Sequence, residues 1–193
     1  MNDLVQAELK KIFNGRFSIS ESTRANYARG EDTYDPILSK AVVFPETNEE
    51  VSKILKLCNE HKIPVVPFGT GTSLEGNVVG NDKGITISLE KMNKVLSVNV
   101  EDFDCRVQAC VTKEQLNDYL REDGVFFPID PGANAAIGGM ASTSASGTMA
   151  VKYGTMKTVI SGLTVVLPNG DIINTGGRTK KTSAGYNLTN LFI

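Results

Sequence analysis

The segment from Pro128 to Gly147 consists mainly of Gly, Ala, Ser and Thr, which are too small to fill a core. Its glycines, which permit positive φ and the close approach of another group, are Gly132, Gly138, Gly139 and Gly147. No Lys or Arg lies between Arg121 and Lys152. Free backbone N–H groups could bind an anion here without cationic side chains. The alternative is an ordinary small-residue loop followed by a tightly packed helix.

A second glycine-rich loop, Gly69 to Asn77, directly follows the apolar run 63–68. A strand that leads into such a loop is typical of a phosphate site. The dinucleotide pattern G-x-G-x-x-G fails because Leu74 occupies the third glycine position, and no Gly-Lys-Ser/Thr follows for a P-loop. The loop therefore offers backbone N–H donors and the hydroxyls of Thr70, Thr72 and Ser73. A turn that serves only the fold is the alternative.

The composition of the 193 residues, with 40% hydrophobic and 22% charged residues, is that of a globular protein. A net charge of −2 disfavours nucleic-acid binding, and the sequence has neither a membrane-spanning apolar run nor a signal peptide. The three cysteines have no metal-ligand spacing and His61 is the only histidine, so we expect no metal site. We expect a cytoplasmic protein, with attachment to the inner face of a membrane through a partner as the alternative.

Helix signals occur at three places. Apolar residues near helical spacing predict an amphipathic helix over 3–13. Thr47 with Glu50 forms a predicted capping box for a helix that ends near His61, which we interpret as a C-terminal helix residue. Thr112 with Gln115 predicts a second capping box, for a helix that ends before Gly124.

The strand signals lie between these helices. We predict strands over 41–44, 63–68, 84–89, 95–100 and 105–111, and the clean alternation of 84–89 predicts a half-buried strand. The runs 163–167 and 171–175, joined by Pro-Asn-Gly, predict a β-hairpin. Residues 16–40 are predicted to be mostly irregular, and the basic loop 178–181 to be a solvated connection.

Together these stretches resemble the FAD-binding domain of the FAD-linked oxidase family that includes p-cresol methylhydroxylase and vanillyl-alcohol oxidase. The stretch 67–76 looks like the pyrophosphate loop of the family, and 130–147 like its flavin-contacting segment. Lys152-Tyr-Gly-Thr-Met156 and Ser183-Ala-Gly-Tyr-Asn-Leu-Thr189 match two further motifs. Within the family, the sequences of these motifs most resemble those of D-lactate dehydrogenases and of the FAD subunit of glycolate oxidase.

The resemblance implies an α+β fold, a two-lobed FAD-binding domain of the p-cresol methylhydroxylase type with FAD held between the lobes. We expect a first lobe over 1–95, with its pyrophosphate loop at 67–77, and a second, incomplete lobe over 96–193. Because the chain stops inside an apolar run, we expect it to be the front part of a longer protein, truncated before the cap domain. Catalytic groups and metal ligands are then expected outside this chain.

The cofactor-binding residues implied by the resemblance fall in three groups. The first loop contributes Pro67, Gly69, Thr70, Gly71, Thr72, Ser73, Leu74, Gly76 and Asn77. The second segment contributes Pro131, Gly132, Ala133, Ile137, Gly138, Gly139, Ser142, Thr143, Ser146 and Gly147. Tyr153 and Gly154 complete the set. A side chain introduced at Gly71 or Gly139 is expected to collide with FAD while most of the fold is kept.

The activity implied by the resemblance is oxidation of a D-2-hydroxy acid, such as D-lactate or glycolate, to the 2-oxo acid. Electrons would pass from FAD to a cytochrome, a quinone or a flavoprotein. The first loop lacks the histidine that often attaches FAD covalently, so we expect non-covalent FAD. Two alternatives are a non-catalytic flavin-binding or assembly subunit of a multi-chain oxidase, and a sugar- or nucleotide-binding module without flavin.

Overall fold

The computed structural model describes residues 3–179 and 181–193. The chain forms two compact units. The first comprises the residues up to Met92 together with 166–172, and the second comprises 93–165 together with 173–193. The assignment of two domains that divide between residues 95 and 96 stays a prediction.

The first unit is a small sheet with helices against it. Its elements are α1 (Asp3–Ile12), β1 (Phe17–Ser18), α2 (Glu21–Asn26), β2 (Val42–Val43), α3 (Asn48–Glu60), β3 (Val65–Phe68) and β4 (Ile85–Ser88). The strand order is β1-β2-β4-β3, in which β2, β4 and β3 are parallel and β1 is antiparallel to β2. The predicted strands and the helix over 3–13 are confirmed. The predicted irregular segment 16–40 contains β1 and α2 but is otherwise irregular.

The prediction of a half-buried β4 is wrong, because all four of its residues are buried. Ile85 and Ile87 enter the core of the first unit. On the other face, Thr86 Oγ1 donates a hydrogen bond to Ser39 Oγ at 2.8 Å. Alternation therefore marks two different buried environments here, because a central strand is covered on both faces.

The core of the first unit lies between the sheet and the apolar faces of α1 and α3. Val5, Leu9 and Phe13 follow α1 at helical spacing, and Ile54 and Cys58 do the same on α3. Burial disfavours the thiolate of Cys58 and raises the pKa of this thiol to about 11. Cys58 is therefore an apolar core residue.

The start of α3 differs from the predicted capping box. Thr47 Oγ1 accepts a hydrogen bond from the N–H of Glu50 at 3.2 Å, so the N-cap is confirmed. The Glu50 carboxylate, however, accepts from the N–H of Glu46 at 2.7 Å and from two guanidinium nitrogens of Arg16 at 2.6 Å each. The guanidinium holds the pKa of Glu50 below its usual range. The other end of α3 agrees with prediction, since His61 is its C-cap.

The second unit contains two antiparallel strand pairs and several short helices. Its elements are β5 (Val95–Asn99), β6 (Asp104–Val107), α4 (Lys113–Leu120), a 3₁₀ turn (Arg121–Asp123), α5 (Ile137–Ser142), α6 (Ala150–Tyr153), α7 (Met156–Val159), β7 (Gly162–Val166), β8 (Ile172–Gly176) and a 3₁₀ turn (Thr189–Leu191). The residues at the β7–β8 turn belong to the first unit. The predicted hairpin is confirmed, as is the Thr112–Gln115 capping box of α4.

The basic loop after β8 is exposed at Arg178, but this side chain is paired. Its guanidinium donates to Asp104 at 2.7 Å and to Asp102 at 2.5 Å, at the turn between β5 and β6. Lys180 in the same loop lies outside the described residues. Over residues 3–179 and 181–193, no helix is long and apolar enough to cross a membrane.

Candidate functional site

The first glycine loop, residues 69–77, begins where β3 ends at Phe68. The backbone N–H groups of residues 71–74, 76 and 77 donate to no acceptor within the described part of the chain. The side chains of Thr72 and Ser73 are half-buried, whereas Pro67, Thr70, Leu74 and Asn77 are exposed. A run of unused donors on a fixed turn is a suitable binding surface for an anion such as a pyrophosphate.

The fold requires a glycine at position 71, whether or not a cofactor is bound. It is buried, its φ is +73°, and a Cβ built at this position would lie 2.8 Å from the ring of Phe68. Its carbonyl oxygen accepts a hydrogen bond from the N–H of Glu31 at 2.9 Å. The expectation that a side chain at Gly71 would keep most of the fold is therefore wrong, because it would strain the backbone and strike Phe68. Its collision with the cofactor stays a prediction.

A turn around Asp32 packs against this loop. The Asp32 carboxylate is buried and accepts from the N–H groups of Gly30 and Tyr34 at 3.0 Å each. A Cβ at Gly76 would lie 2.7 Å from the Tyr34 ring. Sequence reasoning assigned no role to this turn, and the only signal for it was the pairing of the turn formers Gly30 and Asp32.

The second glycine segment, residues 128–147, contains the short helix α5. The helix is packed on one side, where Ile137, Met140 and Ala141 are buried. The hydroxyls of Ser142 and Thr143 are exposed and donate to backbone carbonyls of the preceding turn at 2.9 and 3.1 Å. The tightly packed helix and the exposed small-residue surface are therefore opposite faces of the same element.

Gly138 and Gly139 face different surroundings. A Cβ at Gly138 would lie 2.8 Å from Ala109 Cβ and 2.9 Å from Ala109 O, so close backbone packing requires this glycine. A Cβ at Gly139 would meet no atom within 4 Å among the described residues. The Gly139 N–H also has no acceptor in this part of the chain. Gly139 therefore gives an external group access to the backbone that Gly138 does not.

The two ends of the second segment are joined through Asp130. Its carboxylate accepts from the Thr148 hydroxyl at 2.5 Å and from the Met149 N–H at 3.0 Å. These bonds, the Thr148 bond foremost, hold the pKa of Asp130 below its usual range. The carbonyl of Pro131 accepts from Lys113 Nζ at 3.1 Å. The sequence analysis gave neither Asp130 nor Lys113 a role, because both bonds join residues more than fifteen positions apart.

The remaining predicted residues lie around these features. Gly132 is exposed with open space at its Cβ position, and Ala133 is half-buried. Ser146 is exposed, and the N–H groups of Ser146 and Gly147 have no acceptor among the described residues. Tyr153 is half-buried with its ring edge-on to Phe126, at 5.6 Å between centroids. The structure thus brings together the predicted residues of each loop within its own unit.

Within residues 3–179 and 181–193, no three His, Cys, Asp or Glu side chains are grouped so that they could hold a metal ion. The two loops offer backbone N–H donors, hydroxyls and open glycine surface. Such a surface is suited to binding and orienting a ligand.

The model of the FAD binding domain matches residues 39–176. This chain belongs to that family. It is 48% identical over 179 residues to a probable mitochondrial D-lactate dehydrogenase of Danio rerio, covering 91% of this chain and 36% of the relative. It is 47% identical to a D-lactate dehydrogenase of Archaeoglobus fulgidus (79% and 34% covered) and 35% identical to glycolate oxidase subunit GlcD of Bacillus subtilis (92% and 38%). The chain thus spans about a third of the length of these relatives.

Solved structures confirm the fold. Alkyldihydroxyacetonephosphate synthase superposes with a TM-score of 0.87 at 21% identity, over 100% of this chain and 37% of that protein. p-Cresol methylhydroxylase superposes with a TM-score of 0.75 at 23% identity, over 100% of this chain and 41% of that protein. The predicted α+β architecture and the resemblance to the p-cresol methylhydroxylase type are therefore confirmed.

The family establishes FAD as the cofactor, and the residues present fit it. The first loop offers unused N–H donors that suit the anionic pyrophosphate. Gly139 offers open space beside an N–H that has no acceptor among the described residues, which suits the close approach of a flat ring system. Both features are properties of the backbone, so a search for charged side chains would not find them.

Proposed function

We propose that this chain is the FAD-binding part of a flavin-dependent dehydrogenase that oxidises a D-2-hydroxy acid to the 2-oxo acid. The observation that carries the proposal is the 48% identity, over 91% of the chain, to a protein named as a probable D-lactate dehydrogenase. Relatives named as D-lactate dehydrogenases also occur in Arabidopsis thaliana and in yeast. The glycolate oxidase subunit GlcD, at 35% identity, extends the proposed substrate class to glycolate.

In this proposal the backbone of residues 71–74 binds the pyrophosphate, and Gly76 and Asn77 close the loop around it. Gly139 and residues 142–147 lie against the isoalloxazine and ribityl groups. Bound FAD supplies the acceptor for the two electrons that leave the substrate. This chain binds and orients the cofactor, while the base and the cation for the substrate carboxylate lie elsewhere in the protein.

We propose that the FAD is not covalently attached. The first loop contains no histidine, and His61 is exposed at the C-terminal end of α3. Acid precipitation of the flavin-loaded protein should leave all of the flavin in the supernatant. Flavin that stays with the washed precipitate would contradict the proposal.

We propose a cytochrome, a quinone or a flavoprotein as electron acceptor. The Arabidopsis and yeast relatives carry the word cytochrome in their names, which favours the first of these. The same two names place those relatives in mitochondria, whereas other relatives are bacterial. The cytoplasmic location expected from the sequence therefore stays a proposal, and fractionation of cells with antibodies to the protein would test it.

The proposed reaction is tested by anaerobic reduction of the FAD-loaded, full-length protein. D-Lactate or glycolate should bleach the flavin band at about 450 nm, whereas L-lactate should leave it unchanged. A flavin-loaded protein that no 2-hydroxy acid reduces would contradict the proposal and support the non-catalytic flavin-binding subunit. A protein that binds no flavin would contradict both.

A further inference from the structure

We propose that Asp130 is a positioning residue: it fastens together the two ends of the second glycine segment, so that the N–H groups of residues 139, 146 and 147 are held ready for FAD. The inference rests on the proposed function, because it assumes that this segment contacts the cofactor. It extends that function by assigning a role to a side chain that does not itself face the ligand.

The contacts of Asp130 span the whole segment. One carboxylate oxygen accepts from the Met149 N–H at 3.0 Å and the other accepts from the Thr148 hydroxyl at 2.5 Å. The loop closed in this way contains α5 and its two flanking turns. Hydrogen bonds to an ionised carboxylate are among the stronger ones in proteins, so a single side chain can determine this closure.

The backbone is shaped to allow this closure. A Cβ at Gly147 would lie 2.2 Å from Asp130 Oδ1 and 2.3 Å from Asp130 O. Only a residue without a side chain can therefore pass beside Asp130 at this point. Gly147 is thus explained by contact with Asp130, while its own N–H has no acceptor among the described residues.

The N-terminal end of the segment is also hydrogen-bonded to the start of α4. Lys113 Nζ donates to the carbonyl of Pro131 at 3.1 Å, and the Glu114 N–H donates to Asn134 Oδ1 at 3.1 Å. Lys113 is the first residue of α4, whose N-terminus is fixed by its capping box. The loop around Asp130 is therefore anchored to a regular element of the second unit.

Loss of the Asp130 charge and loss of its hydrogen bonds should change the affinity for FAD in opposite directions. Removal of a negative charge by itself favours the binding of an anion such as FAD. Loss of the two hydrogen bonds instead releases residues 146–149 and costs affinity, because the loop must then be ordered on binding. Asp130→Ala should therefore weaken FAD binding, by about tenfold to 100-fold.

The experiment compares Asp130→Ala, Asp130→Asn and the charge-matched control Asp123→Ala, all in the full-length protein. Asp123 is exposed in the 3₁₀ turn after α4, so its removal changes the charge alone. The readouts are the dissociation constant of FAD from flavin fluorescence, the melting temperature of the apo-protein, and hydrogen exchange at the Met149 amide. We expect weaker FAD binding and a less protected Met149 amide in Asp130→Ala, partial recovery in Asp130→Asn, and no weakening of FAD binding in Asp123→Ala.

The inference is overturned if Asp130→Ala binds FAD as tightly as the wild type, or more tightly. It is also overturned if the melting temperature of the Asp130→Ala apo-protein falls together with its affinity for FAD, and Asp130→Asn restores neither the melting temperature nor the affinity. Asp130 would then support only the fold. A wild-type protein that does not bind FAD would contradict the proposed function itself, which is a different result.

Discussion

Two adjacent glycines should respond in opposite ways to the same substitution. A valine at Gly138 places its Cβ 2.8 Å from Ala109 Cβ and 2.9 Å from Ala109 O, whereas a valine at Gly139 meets nothing within 4 Å among the described residues. Overpacking of this kind costs about 1–3 kcal/mol. For a chain of this size that cost corresponds to a fall of about 2–12 °C in melting temperature. Gly138→Val should show this fall in the apo-protein.

Gly139→Val should leave the melting temperature nearly unchanged. Its φ is not in the left-handed region, and helix propensities of glycine and valine differ by only about 0.5 kcal/mol. If FAD lies against this backbone, the new side chain collides with the cofactor instead. The dissociation constant of FAD should then rise by about five- to 150-fold, the ratio that corresponds to an overpacking cost of about 1–3 kcal/mol.

The assay pairs a differential scanning fluorimetry melt of each apo-protein with a titration of FAD into the same preparation. Full FAD affinity in Gly139→Val would refute the assignment of this surface to the cofactor. A large fall in melting temperature for Gly139→Val would refute the structural argument, because it would show that the position is not open.

The other predictions concern the first unit. Gly71→Ala should lower the melting temperature of the apo-protein, because alanine strains a backbone at φ +73° and its Cβ meets the Phe68 ring. A variant that loses flavin while its melting temperature is unchanged would contradict this. Glu50→Gln should lower the free energy of unfolding by about 1–3 kcal/mol, measured in urea at pH 7, with Glu60→Gln as an exposed control. The pKa of Glu50 is lowered in the folded state, so this contribution is complete above the unfolded pKa of about 4.3 and is lost as the pH falls through the folded pKa. A difference between wild type and Glu50→Gln that stays constant down to pH 3 would contradict the assigned ion pair.

Local signals in the sequence predicted much of the fold. The Thr112–Gln115 capping box, the β7–β8 hairpin and the two glycine loops are each encoded within a few consecutive residues. Helical spacing likewise predicted the apolar faces of α1 and α3. These elements could be predicted from the sequence because residues that are close together in the chain determine them.

Contacts between residues that lie far apart in the sequence could not be predicted from such local signals. Glu50 was expected to complete a capping box, but its carboxylate binds Arg16, which lies 34 positions away. The strand β4 was expected to be half-buried, but Ser39 covers its polar face. Gly71 was assigned to the cofactor surface, but its carbonyl oxygen accepts a hydrogen bond from the N–H of Glu31, which lies far from it in the sequence. In each case a tertiary partner changed the meaning of a correct local signal.

The central claim is that this chain binds FAD through backbone donors of the first glycine loop and the open surface at Gly139. The most direct test is the ratio of the affinities of the full-length apo-protein for FAD and for riboflavin, which lacks the pyrophosphate and adenosine. If the unused N–H groups of residues 71–74 bind the pyrophosphate, FAD should bind at least about 100-fold more tightly than riboflavin. Equal affinities for the two ligands, or binding of neither, would contradict the account.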